Sequence, residues 1–98
     1  MRLAILLGSG PSSANARTAR ALATAALQRG HDVFLFFNDE GVHAAAQMAE
    51  LGSLGARLAA CAQSARRLGV PAVAGVRWGG QLDWAEAVRD ADQVLALA

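Results

Sequence analysis

Short apolar runs alternate with segments of helical periodicity along this chain of 98 residues, and that alternation limits the possible folds more than any other feature. The two clearest runs, at residues 3–7 and 33–37, predict strands buried on both faces. Together the predicted strands cover residues 3–7, 33–37, 58–61, 73–76 and 94–97. The predicted helices cover residues 13–28, 43–51, 62–68 and 83–91.

Regular alternation of strands and helices favours an α/β fold with a mostly parallel sheet. We therefore predict one domain over residues 1–98, in three layers, with a four- to five-stranded sheet and helices on both faces. Reactive groups in such sheets gather beyond the carboxyl ends of the strands. A strand order of 2-1-3-4 would make the first and third strands neighbours. The loop at 8–13, the turn at 39–43 and Cys61 would then lie along one edge.

Composition narrows the function classes. A net charge of +1, with no basic stripe that aromatic residues interrupt, argues against a dedicated nucleic-acid binder. All basic residues apart from the two histidines are arginine, which excludes a P-loop lysine and a Schiff-base lysine. One cysteine and two histidines do not make a convincing zinc site, so we expect no metal. The apolar start is too short for a signal peptide and no run approaches a membrane span, which predicts a cytoplasmic protein. The high apolar content predicts self-association or a protein partner.

Cys61, the single cysteine, lies where the third predicted strand meets a helix. Unpaired backbone N–H groups and the positive end of a helix dipole stabilise the reactive thiolate at such a turn. Arg66 and Arg67 follow within two turns and add positive charge. The alternative is that Cys61 is a small buried hydrophobic residue, as lone cysteines among alanines often are.

A Gly-Ser loop follows the first strand and contains Ser9, Gly10, Ser12 and Ser13. Its glycines allow backbone N–H groups to point at an anion ahead of a helix, although a plain turn with a helix cap explains the same residues. As a nucleotide motif the loop is weak, because Ser13 stands where a third glycine is needed. His43 is predicted near the same edge, where it would pair with an anionic sulfur species or simply face solvent.

Taken in order, these pieces resemble the DsrE/TusD family of small sulfur-relay proteins. The resemblance covers nearly the whole chain. It rests on residues 3–5 with 9–11 and 13–16, residues 30–33, residues 36–37 with 39–43, residues 61–67, and residues 80–82, 86–87 and 91–95. Cys61 matches the family's sulfur-carrying cysteine. The segment between His43 and Cys61, and the one after Arg67, are shorter than in the family pattern.

The resemblance implies sulfane-sulfur transfer by a possible sulfurtransferase. Cys61 would accept sulfur as a persulfide and pass it to a partner protein, with no metal or organic cofactor. Donor and acceptor proteins, and a homo- or hetero-oligomer, are the implied partners. The downstream role would be tRNA thiolation or sulfur oxidation, without direct nucleic-acid binding. An environment for the anionic persulfide is expected from Ser9, Gly10, Ser12, Ser13, His43 and Arg66. The alternative is a non-catalytic subunit that binds a partner or a small anion, with Cys61 buried.

Overall fold

The computed structural model describes residues 1–98 and contains one sheet of five parallel strands. The strands are β1 (Arg2–Leu7), β2 (Asp32–Phe37), β3 (Arg57–Cys61), β4 (Arg77–Gly79) and β5 (Gln93–Leu97). Their order across the sheet is β4-β3-β2-β1-β5. Because helices pack on both faces, the predicted three-layer α/β architecture is confirmed.

Four α-helices connect the strands: α1 (Ala14–Gln28), α2 (Ala45–Met48), α3 (Ala62–Leu68) and α4 (Gln81–Asp90). Short 3-10 segments, Asp39–Ala44 and Ala49–Leu54, flank α2, so the second predicted helix is broken into three pieces. The last helix begins two residues earlier than predicted. None of these helices has the length and hydropathy needed to span a bilayer.

The predicted strand order 2-1-3-4 is wrong, because β2 lies between β1 and β3. The first three crossovers each add a strand in the same direction, and β5 then returns to the free edge of β1. Alternation of strands and helices does not encode this choice of direction. Cys61, at the end of β3, is consequently two strand spacings, about 10 Å, from the end of β1.

The predicted strand at 73–76 is also wrong, since those residues form a turn before β4. The Val76 N–H donates to the Val73 carbonyl at 3.1 Å, and Gly75 has a φ of 84°. That left-handed conformation suits glycine and ends any extended run. The strand forms only after the turn, where Ala59 of β3 pairs with Arg77.

An alanine-lined helix face covers the first side of the sheet. Ala16, Ala19, Ala23 and Ala26 of α1 are buried against β1 and β2. Small side chains let the helix approach the sheet closely, which leaves room for the large β-strand residues Phe37 and Leu35. Leu22, which is spaced to lie beside Ala19 and Ala26 on this helix, is exposed.

The second side of the sheet carries a smaller apolar cluster under α4. Its buried members are Phe34, Phe36, Ala59 and Cys61, and Leu6, Trp84 and Ala87 pack against them. Trp84 stacks on Phe36 with ring centroids 6.1 Å apart. Trp84 is half-buried in this cluster, whereas Val88 of the same helix is exposed. No residue of α4 is fully buried, so this layer is thin.

Close backbone contact between β1 and the segment after β2 requires a glycine at position 41. A Cβ there would overlap the Leu7 carbonyl and lie 3.4 Å from Gly8 Cα. The Gly41 N–H also donates to the Asn38 carbonyl at 2.8 Å, which tightens the turn. Neither obstacle is a flexible side chain, so the backbone itself would have to move.

We therefore expect Gly41→Ala to reduce the free energy of unfolding by about 1–3 kcal/mol, as overpacking does. Gly10→Ala is the matched control, because a Cβ at Gly10 meets nothing within 4 Å. Its expected effect is within roughly 0.5 kcal/mol. Urea denaturation followed by circular dichroism measures both, and equal midpoints for the two variants would contradict the close approach.

Candidate functional site

Cys61 is both the last residue of β3 and the N-cap of α3. Alternation along β3 turns its side chain to the face that α4 covers, where it lies in the cluster with Phe36 and Ala59. Its exposed fraction is 6%. The thiol is therefore at the carboxyl edge of the sheet, as predicted, but beneath the surface.

Ser64 is hydrogen-bonded to the thiol. Its backbone N–H donates to Cys61 Sγ at 3.5 Å, and its side chain is buried. The Ser64 hydroxyl oxygen accepts from the Asp39 N–H at 3.2 Å, which leaves the hydroxyl proton free to point at the sulfur. Ser64 thereby links the end of β2 to the thiol.

Asp39 holds the loop after β2 in the position that this link requires. Its φ of 46° is in the left-handed region, which aspartate tolerates better than most residues. The Asp39 carboxylate also accepts from Arg67 of α3 at 3.2 Å. Two contacts, one through the backbone and one through the side chain, thus join this loop to α3.

The first turn of α4 covers the thiol from the other side. Gln81 Nε2 donates to Asn38 Oδ1 at 3.2 Å, and the Gln81 side chain is also among the groups that lower the pKa of the Cys61 thiol. Asp83 fixes this turn, because its carboxylate accepts from the Gly80 N–H at 2.9 Å and pairs with Arg77 at 2.9 Å. Asp83 therefore caps the helix start.

Two opposing effects set the pKa of the Cys61 thiol. Burial is the largest single influence and raises the pKa. Hydrogen bonds from the Ser64 hydroxyl, the Ser64 and Gln63 amides and the Gln81 side chain lower it, and together they outweigh burial. The pKa of Cys61 consequently lies below the ordinary value of a thiol, which favours a nucleophilic thiolate near neutral pH.

The Gly-Ser loop lies at the same edge, but its hydrogen bonds serve the loop and α1. Ser13 is the N-cap of α1, with its hydroxyl oxygen accepting from the Ala16 N–H at 3.0 Å and donating to the Gly10 carbonyl. Ser9 donates to the Ala98 carbonyl at 2.7 Å. Ser12 is exposed. None of these four residues hydrogen-bonds to Cys61.

His43 and Arg66 are exposed and make no hydrogen bond to Cys61. His43 Nε2 lies 3.5 Å from a Glu40 carboxylate oxygen, in the 3-10 segment after β2. Arg66 lies in the last turn of α3, away from the helix start that holds the thiol. No group of three or more His, Cys, Asp or Glu residues is arranged to hold a metal ion.

Sequence reasoning missed Ser64 and Gln81, whose side chains lower the pKa of the thiol, and Asn38, which accepts from Gln81. Ser64 stands at the third position of the helix after Cys61, where a side chain can reach back to the cap. Asn38 and Gln81 each follow the end of a strand, so a parallel sheet brings both to the carboxyl edge. Their positions just after the ends of strands were therefore the sequence feature that could have identified Asn38 and Gln81.

This architecture is similar to that of a known protein structure. A solved structure, the YchN protein from E. coli, superposes with a TM-score of 0.87 at 22% sequence identity, covering 99% of this chain and 99% of that one. No curated protein sequence matches. The family model described as DsrE/DsrF-like matches residues 1–97, which confirms the resemblance carried by the ordered motifs. The chain belongs to the DsrE/DsrF-like family.

Proposed function

We propose that this protein is a sulfur carrier, which holds sulfane sulfur on Cys61 as a persulfide and transfers it to a thiol of a partner protein. The observation that carries the proposal is the set of donors around Cys61, which lowers the pKa of the thiol despite burial. Membership of a sulfur-relay family supports the same chemistry. The acceptor would serve either tRNA thiolation or sulfur oxidation.

The proposed reaction has two exchange steps with no net oxidation. The Cys61 thiolate attacks the terminal sulfur of a donor persulfide, forming a new S–S bond as the donor's S–S bond breaks. The donor leaves as a thiolate with the electron pair of that bond, and the proton stays on the transferred sulfur. A partner thiolate then attacks the same sulfur, and Cys61 leaves as a thiolate.

Donors around the thiol would act in both steps. The Ser64 N–H and hydroxyl stabilise negative charge on Cys61 Sγ, whether Cys61 is the attacking or the leaving thiolate. Gln81 is at the first position of α4, and its side chain lowers the pKa of the thiol. Its amide would be a donor to the added outer sulfur.

One observation favours a second candidate function, a non-catalytic subunit that binds a partner protein. Only 6% of Cys61 is exposed, and the first turn of α4 and Trp84 cover its cluster. In this alternative Cys61 is a packing residue and α4 contacts the partner. Chemical loading of the thiol separates the two candidates.

Incubation of the reduced protein with a low-molecular-weight persulfide is expected to add one sulfur atom to the wild-type chain. Intact-mass spectrometry after removal of the donor measures the adduct, and peptide mapping locates it. Cys61→Ser should take up none. An unmodified wild-type chain under conditions that load a free-cysteine peptide would favour the packing role instead.

Removing the donors should raise the pKa of Cys61 and slow its alkylation at neutral pH. Each unit of pKa increase lowers the thiolate fraction about tenfold when pH is below the pKa. We expect the pH–rate profile with iodoacetamide to move to higher pH in Ser64→Ala and in Gln81→Ala. Ser53→Ala is the matched control, because Ser53 is exposed and bonds only to the Glu50 carbonyl.

Loss of the Ser64 hydroxyl also leaves the Asp39 N–H without its acceptor, at a cost of about 1–3 kcal/mol. Circular dichroism must therefore show that Ser64→Ala is folded at the temperature of the assay. Gln81→Ala lacks this complication, since Gln81 is exposed. Profiles that coincide with that of the wild type in both variants would refute stabilisation of the thiolate by these donors.

Because the pKa of Cys61 is lowered in the folded state, ionisation of this thiol should stabilise the fold. Above the ordinary thiol pKa, ionised Cys61 stabilises the fold relative to Cys61→Ser. That contribution disappears as pH falls through the folded-state pKa. The difference in unfolding free energy between wild type and Cys61→Ser should therefore grow with rising pH over this window, and a difference that shrinks would contradict the lowered pKa.

A further inference from the structure

A hollow of about 700 Å³ lies between α4 and the amino-terminal half of the sheet. Its volume is in the range of small-molecule sites, which is about 300–1,000 Å³. Phe34 and Ala59 line it on the sheet side, and Ala87 lines it on the helix side. Cys61 does not line it and lies about 13 Å along β3 from Arg57, which does. The hollow is therefore separate from the thiol site.

Both walls of this hollow carry charge. On the sheet side, the first residue of each of four strands is charged: Arg2, Asp32, Arg57 and Arg77. On the helix side, three carboxylates spaced three and four residues apart share one face of α4: Asp83, Glu86 and Asp90. Because charged side chains are costly to remove from water, this half of α4 does not close onto the strands.

Ion pairs satisfy five of these seven charges: Arg2 with Asp32 at 3.8 Å, Arg77 with Asp83 at 2.9 Å, and Asp90 with Arg89 at 3.1 Å. Arg57 and Glu86 are the two that remain. No carboxylate lies within 4.0 Å of the Arg57 guanidinium, and no basic group lies within that distance of the Glu86 carboxylate. The hollow thus contains one unpaired cation and one unpaired anion.

Arg57 is held in place without a counter-ion. Its guanidinium carbon lies over the Phe34 ring, 5.6 Å from the ring centroid. Contact with an aromatic face positions the planar guanidinium and leaves the N–H groups at its edge free to donate. A guanidinium in this position can donate two parallel hydrogen bonds to a carboxylate.

The signs of the two unpaired groups define the ligand. A lone anion would leave Glu86 unpaired, and a lone cation would leave Arg57 unpaired. Three arginines and four carboxylates give the lining a net charge of −1, which argues against a polyanion such as a nucleotide. A molecule with a carboxylate at one end and an ammonium at the other complements both groups.

We propose that this hollow binds a small zwitterion, a free amino acid or a short peptide, with its carboxylate on Arg57 and its ammonium on Glu86. The hollow extends from Arg2 of β1 to Arg77 of β4, which is three strand spacings or about 14 Å. That length accommodates either ligand. The proposal does not depend on the sulfur chemistry, because the lining excludes Cys61.

A series of ligands with increasing charge separation tests the proposal. Glycine, diglycine and triglycine carry the same two charges progressively farther apart. Titration of ¹⁵N-labelled protein, followed by NMR of its backbone amides, measures a dissociation constant for each. At least one should shift the amides of Arg57 and Glu86 saturably and leave that of Ser64 unchanged. Tightest binding of glycine would identify an amino acid site, and tightest binding of the longer members a peptide site.

Removing one charge from the ligand and one from the protein assigns the contacts. Amidation of the best ligand removes its carboxylate, and N-acetylation removes its ammonium. Each should weaken binding to the wild type at least about tenfold, as expected for a lost charged hydrogen bond. In Arg57→Gln amidation should have no further effect, and in Glu86→Gln acetylation should have none. Capping effects as large in these variants as in the wild type would refute the assigned contacts.

Arg17→Gln and Glu50→Gln are the matched controls, since they remove the same charges on the α1 side of the sheet. Arg17 is in α1, and Glu50 pairs with Arg20 of α1 at 2.7 Å. Both should bind the ligand within about twofold of the wild type. Arg57 and Glu86 are exposed, so their variants should fold, which circular dichroism checks. If either does not fold, the capped ligands on the wild type decide the question.

The absence of a saturable shift at Arg57 and Glu86 with all three glycine ligands would overturn the proposal. Binding that persists unchanged in both Arg57→Gln and Glu86→Gln would also overturn it, as would an equal loss in the two control variants. Persulfide loading of Cys61 is measured separately by intact mass. A chain that takes up sulfur but binds no zwitterion would therefore contradict only this proposal.

Discussion

Parallel pairing of β2 with β1 on one side and β3 on the other is the constraint on which the candidate site depends. The register sets Leu7 opposite Phe37 and Phe37 opposite Ala60, so three strands end at one level. The Asn38 N–H then continues the β1 pairing by donating to the Leu7 carbonyl at 2.9 Å, and the next residue, Asp39, donates to Ser64. A shift of β2 by one residue would remove both contacts, and the Ser64 hydroxyl beside the thiol would lose the Asp39 N–H from which it accepts.

The pKa of the Cys61 thiol is set by burial and by hydrogen-bond donors, which act in opposite directions. An apolar cluster removes the thiol from water, which alone would keep it protonated and inert. Donors on two helices oppose that effect, and they lower the pKa of the thiol while leaving it buried. A low exposed fraction and a lowered thiol pKa therefore occur together at Cys61.

Features that depend on local pattern were predictable from the sequence, and features that depend on tertiary direction were not. The continuous apolar runs identified β1 and β2 because a strand buried on both faces has no polar side. The predicted strand order was wrong because the sequence of a crossover connection does not indicate on which side of β1 the next strand pairs. Leu22 matched a helical stripe, but the sheet accommodates only the alanine face of α1. Gln81 reaches Cys61 from twenty positions away in the sequence, which no local periodicity reports.

The central position of β1 has a consequence for how the chain folds. β1 is formed from the first residues, yet its second neighbour is the last strand, and the Arg2 N–H bonds to the Asp92 carboxylate across 90 residues. Loop closure over such a distance is slow, and contact order rises with every pair of this kind. During synthesis, β1 therefore has one unpaired edge until the final strand is complete. An unpaired strand edge in a partly folded chain is a place where two chains can pair and aggregate.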